Sequence, residues 1–201
     1  MYHKNHTKGI IISSKIEGND SKRASIFTES FGLVGARVQG GRNLHSKLRG
    51  GSQDFCFGEF SLVHGKSGWR VVSVRAEKNF FEIFRNFPDK LKIVSNVLNL
   101  IKRLVDEEAR PNDKVGREAH TSIFDIVVNF FNFLEKAKEN EIALAECLTL
   151  VRILHALGYM RHDPEFTVPI SSSEIEIKDL EMIAPRRSKM VELINESLKA
   201  A

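Results

Sequence analysis

Apolar positions in the first 76 residues fall in short alternating runs separated by glycine and polar clusters, the pattern of a small antiparallel β-domain. Five strands are expected, over Lys8–Ser14, Arg23–Glu29, Gly32–Gly40, Phe55–His64 and Trp69–Ala76. In the third, Val34, Ala36 and Val38 should face inward and Arg37 and Gln39 outward, the two-residue period of a sheet wet on one side. Glu17-Gly18-Asn19-Asp20, Glu29–Gly32 and Gly65-Lys66-Ser67-Gly68 supply turn chemistry between strands. A longer connection, Gly41–Asp54, carries three basic residues and no apolar period, and reads as a binding loop.

From Asn79 onward the period becomes helical. Leu91, Val94, Val97, Leu98, Ile101, Leu104 and Val105 recur at three- and four-residue steps within Asp89–Glu108, behind Pro88 at a position that a first helical turn tolerates. Further helices are expected over Asp113–Lys138, Ile142–Leu157 ending at Gly158, Ser173–Ile183 and Arg186–Lys199, with Pro164–Ser173 as a loop. The fold class is therefore α+β, with a five-stranded barrel over 1–78 and an all-helical domain over 79–201 that packs on it. Five strands with a long connection after the third fit an OB-fold, and an SH3-like barrel competes.

Charge sharpens the division. The chain has 201 residues and a net charge of +4, but residues 1–80 hold 13 Lys and Arg against six Asp and Glu, leaving the remainder weakly acidic. Eleven of the 13 glycines precede residue 81 and all five prolines follow it. Cys56 and Cys147, one in each half, can form neither a four-ligand zinc site nor a disulfide framework, and both should be buried reduced thiols. No apolar run approaches a membrane span, and no secretory leader is expected from polar Met1–Lys8, so the expected location is cytoplasmic.

Catalytic constellations are missing. The histidines at 3, 6, 45, 64, 120, 155 and 162 form no helical ligand pair beside a carboxylate, and phosphate-loop and nucleophile-elbow motifs are absent. His3 and His6 lie in a terminus expected to fray, and Arg161-His162-Asp163 reads as a solvated exit loop; no enzyme activity and no cofactor are expected. Basic residues are the stronger signal. Lys22, Arg23, Arg37, Arg42, Lys47, Arg49, Lys66, Arg70 and Arg75 stand between residues 21 and 75 against Glu29, Asp54 and Glu59, as a barrel that neutralises phosphates requires. A soluble domain with evenly spread charge gives the same count. Trp69 reads as a core or rim residue before a base-stacking one. Phe80, Phe81, Phe84 and Phe87 should pack against the barrel, and Phe130, Phe131 and Phe133 within the bundle, with one of the latter lining a groove for a short acidic peptide.

Several segments together resemble the bacterial recombination mediator family RecO. They are Thr7-Lys8-Gly9-Ile10-Ile11-Ile12, the turn Glu17–Asp20, Ile26-Phe27-Thr28 before Gly32-Leu33, the loop Gly40–Arg49 with Ser46-Lys47-Leu48-Arg49, and Leu150–Tyr159 ending in Gly-Tyr. The resemblance implies an N-terminal OB-fold, a helical C-terminal domain and non-catalytic binding of single- and double-stranded DNA. It also implies strand annealing, and loading of recombinase onto coated single strands in repair and homologous recombination. The implied partners are RecR and the acidic tail of the single-stranded-DNA-binding protein. Some members hold a four-cysteine zinc site after the Gly-Tyr helix, whereas Arg161–Pro169 contains no cysteine, so no metal is expected. The expected DNA contacts are Arg37, Arg42, Lys47 and Arg49, flanked by Lys22, Arg23 and Arg70. The alternative is an OB-fold and helical adaptor that binds proteins and no DNA.

Overall fold

The computed structural model describes residues 3–41, 43, 46, 48–105, 117–160, 170 and 172–200, without the side chains of 117–120 and 200. The expected loop Pro164–Ser173 and the exit loop Arg161–Asp163 lie almost wholly outside them.

Five strands, β1 (Lys4–Glu17), β2 (Ser21–Thr28), β3 (Gly32–Val38), β4 (Cys56–Gly65) and β5 (Gly68–Asn79), close into a barrel in the order 1-2-3-5-4. All neighbours are antiparallel except β3 and β5, which run parallel. This is the Greek-key closure of an OB-fold. Between β3 and β4 a short helix, α1 (Leu48–Gly51), interrupts the segment expected to be all loop. Four residues are too few to show a helical period, which is why the sequence does not announce it.

Strand β1 begins at Lys4, earlier than expected, because Lys4 to Ile10 pair with β4 while Gly9 to Glu17 pair with β2. His6, expected in a frayed terminus, instead lies in this strand, its Nδ1 3.0 Å from Ser61 Oγ. Alternate residues fill the interior: Ile11, Ala24, Ile26, Val34, Ala36, Val38, Phe60, Leu62, Trp69 and Val71 form one buried cluster with Phe31. Burying each of the large aliphatic or aromatic members contributes about 1.5–3 kcal/mol. Trp69 belongs to this core, 5.2 Å from the Phe31 ring and edge-on to His64. Cys56 is buried too, and burial pushes its thiol up to about 11 against the opposing charge of Lys22.

The outer surface of the barrel changes character along the strands. Ile10, Phe27, Leu33 and Phe57 stand in cross-strand register on the face opposite the core, yet are buried. Helix α2 (Phe80–Phe84), capped by Asn79, covers part of this face: Phe80 lies 6.3 Å from Phe57 and stacks on Phe84. Of the aromatic run, Phe80 and Phe84 are thus buried, while Phe81 and Phe87 remain exposed. Helix α3 (Pro88–Leu104) follows and reaches β1 through Lys102, whose Nζ donates to Ser13 Oγ at 2.8 Å.

The chain forms two compact units, 1–120 and 121–201. Strand gives way to helix at residue 79, but compactness divides later, so α2 and α3 group with the barrel. Among its described residues the second unit contains most of α4 (Arg117–Lys136), α5 (Glu139–Ala156), α6 (Ile177–Ile183), a 3-10 turn (Ala184–Arg186) and α7 (Arg187–Ala200). Phe130 and Phe131 are fully buried and Phe133 half-buried. At the unit's centre the Arg152 side chain is fully enclosed, 3.6 Å from Asp179 Oδ2 and donating to the Glu174 carbonyl at 2.9 Å. Burial draws the Arg152 guanidinium down to about 10, with Asp179 opposing.

Two stability predictions follow from this packing. A Cβ at Gly58 would clash with the Arg75 carbonyl oxygen, so Gly58→Ala should cost about 1–3 kcal/mol in urea unfolding. Arg152→Met strands Asp179 as a buried charge and should cost about 3–5 kcal/mol, part of which Arg152→Met/Asp179→Asn restores. A single mutant within about 0.5 kcal/mol of wild type would refute the second expectation.

Candidate nucleic-acid interface

Beyond the apolar face that the helices cover, the same outer surface turns hydrophilic. Ser13 pairs with Ser25 across β1 and β2, and one step further along Lys15 pairs with Arg23. Arg23 pairs in turn with Arg37 on β3, and Arg37 with Arg70 on β5. Lys15, Arg23, Arg37 and Arg70 therefore occupy consecutive cross-strand positions on four adjacent strands, all exposed.

Such a row is unfavourable by itself. Directly opposed side chains have Cβ atoms about 4.5–5.5 Å apart, and like charges at that spacing destabilise a sheet. Among the described residues the row meets one carboxylate, Glu17, 3.7 Å from Arg37, in an exposed pair of little energetic weight. Elsewhere on the barrel a comparable row is balanced: Lys8 pairs with Glu59, and Glu59 with Arg75, whose guanidinium lies 2.9 Å from the Glu59 carboxylate. In the basic row only Arg37 is so paired among the described residues, and an external anion can serve Lys15, Arg23 and Arg70.

At the β3–β5 end a depression of about 430 Å³ is lined by Arg37, Gln39, Lys66, Trp69 and Arg70 among others. Trp69 is buried beneath it and is not presented for stacking. At the other end, Lys15 and Arg23 line a smaller pocket with Ser13, Ser25 and Lys102.

Of the residues expected to contact DNA, Arg23, Arg37 and Arg70 come together in the row. Arg49 is exposed on α1, outside the register that aligns the other three. Arg42 and Lys47 lie outside the described residues. Lys22 points the other way: it alternates with Arg23, faces the barrel mouth, and its ammonium donates to the Ser52 carbonyl and to Ser14 Oγ at 3.5 Å. Burial lowers the pKa of Lys22, and Asp54 opposes the shift. Asp54 also accepts from Ser14 at 2.6 Å, so this cation belongs to an internal polar network. Lys15 and Lys102 are additions. Neither stands in the basic stretch 21–75, and only strand register and α3 packing bring them to the site. Among the described residues no His, Cys, Asp and Glu group is arranged to hold a metal, and no helix is long and apolar enough to cross a membrane.

Residues 1–77, the whole barrel except its last two strand positions, match the family model described as recombination protein O N terminal. Among curated proteins, the chain is 25% identical over 153 residues to the DNA repair protein RecO of Acetivibrio thermocellus, covering 76% of this chain and 57% of that protein. It is 27% identical over 153 residues to the protein of that name from Clostridium novyi, covering 76% and 56%. For that of Alkaliphilus metalliredigens the figures are 27% over 118 residues, covering 57% and 47%. The chain thus spans about half the length of the curated relatives it matches. The barrel thus resembles the amino-terminal domain of recombination protein O, and the similarity to RecO proteins continues into the helical region.

Proposed function

We propose that the chain binds single- and double-stranded DNA without catalysing a reaction on it, through the Lys15, Arg23, Arg37 and Arg70 row. In this reading it acts in DNA repair and homologous recombination in the cytoplasm, annealing strands and helping to load recombinase on protein-coated single strands. RecR and the tail of the single-stranded-DNA-binding protein are its proposed partners, with the helical region after residue 78 as the partner-binding part. The similarity to proteins named DNA repair protein RecO supports the process, and the partners are carried over from the same resemblance. The alignment of four cations on adjacent strands is the observation that supports the substrate.

The physical case rests on what four aligned cations do. Their mutual repulsion is relieved when phosphates take the place of the missing carboxylates, and the release of condensed counterions supplies sequence-independent affinity. A closed barrel fixes the cations in place, so little side-chain scaffold has to be ordered on binding. The row carries no exposed aromatic ring, in keeping with affinity for backbone rather than sequence. The adaptor reading requires no such alignment, and a barrel serving only proteins would gain nothing from placing four cations in cross-strand register.

Binding to single-stranded DNA should weaken with salt with a log–log slope of about 3 for four contacts, at about 0.7 each. Lys15→Ala/Arg23→Ala/Arg37→Ala/Arg70→Ala should abolish most of that slope. Arg75→Ala, which removes a cation already paired with Glu59, should leave it nearly intact. Fluorescence anisotropy across a salt series measures both, and equal effects of the two variants would refute the assignment.

A further inference from the structure

We infer that Ser13, Lys15, Arg23, Ser25 and Lys102 form a discrete phosphate-binding subsite, so that the nucleic-acid track leaves the barrel and continues onto α3. The inference rests on the DNA-binding reading above and goes beyond it by assigning a defined pocket and a helical residue to the track.

Three observations converge. First, the four strand residues form a compact rectangle: Ser13 is opposite Ser25 and Lys15 opposite Arg23, all on the outer face. Two hydroxyls and two cations therefore point the same way within two residue steps. Second, Lys102 arrives from 89 residues further along the chain to bond Ser13 Oγ at 2.8 Å. Its partner is a neutral hydroxyl, so its charge adds to those of Lys15 and Arg23. Third, among the described residues these five line a pocket of about 190 Å³, concave and open to solvent. Among the described residues no carboxylate is ion-paired with Lys15, Arg23 or Lys102.

The chemistry of the pocket selects its ligand. Three ammonium or guanidinium groups and two hydroxyl donors around a small concavity suit a tetrahedral oxyanion, with Arg23 able to donate through two nitrogens. A terminal phosphate offers three oxygens and close to two charges, and an internal phosphodiester two non-bridging oxygens and one charge. The phosphate can come from the interior of a strand or from its terminus, and both sources share this recognition.

Lys102 is the residue that separates the subsite from the rest of the row. It is exposed, so Lys102→Ala should leave the thermal midpoint unchanged, while weakening short oligothymidylate about threefold and lowering the salt slope by about 0.7. Lys102→Arg should retain most of the affinity. Oligonucleotides with and without a 5′-phosphate distinguish the sources. A terminal phosphate that strengthens binding to wild type but not to Lys102→Ala assigns the pocket to strand ends. A loss in Lys102→Ala that is equal for both oligonucleotides assigns it to internal phosphodiesters. If Arg37→Ala/Arg70→Ala weakens binding while Lys102→Ala leaves affinity and slope unchanged, the subsite is overturned and the row stands. If wild type binds neither oligonucleotide at low salt, the DNA-binding reading fails and the subsite falls with it.

Discussion

One irregularity in β1 decides where Lys15 points and so completes the cationic row. Ile10, Ile11 and Ile12 are consecutive apolar residues, and the β1–β2 register shifts between Ile11 and Ser13. In an unbroken strand Lys15 would share a face with Ile11 and be directed into the barrel. The extra residue resets the alternation, so that Ser13 and Lys15 join Ile10 on the outer side. Ile12 is buried at the irregularity itself. The place of Lys15 in the basic row depends on this one-residue offset, since without it Lys15 would turn inward opposite Lys22 at the barrel mouth.

The outer face of β1, β2 and β3 is consequently graded. Ile10, Phe27 and Leu33 lie at the buried end, Ser13 and Ser25 come next, and Lys15, Arg23 and Arg37 follow. The helical segment matches the gradient. Phe80 and Phe84 meet the apolar end, and the basic last turn of α3, with Lys102 and Arg103, stands where the surface becomes polar. A simple partition into a basic barrel and an acidic bundle misses this, because a balance computed over 121 residues conceals two cations at one helix end.

The strands were legible because alternation and glycine-bearing turns fall where the barrel needs them, and the long helices because their apolar spacing is sustained over four or five turns. The site was only partly legible. Lys22 and Arg23 are adjacent in sequence, so one must face inward and the other outward, and a cluster of charges does not say which. The interior alternation of Ala24 and Ile26 gives the answer once the core is known. Lys15 was hidden by the offset in β1. Lys102 was hidden by its distance along the chain, since nothing local in Leu100–Arg103 refers to Ser13. Helix α1 escaped for a different reason, being a single turn that contains two glycines.

The parallel contact of β3 with β5 has a mechanical meaning. Among the described residues only Ala36 with Trp69 and Arg37 with Arg70 pair there, whereas β4 and β5 pair from Cys56–Asn79 to Gly65–Gly68. This is the seam of the barrel, and its outer stitch joins two cations that repel each other. A bridging anion would reverse the sign of that interaction and draw the two strands together. Occupancy of the surface and cohesion of the barrel are then linked thermodynamically: whatever binds across the seam also fastens it.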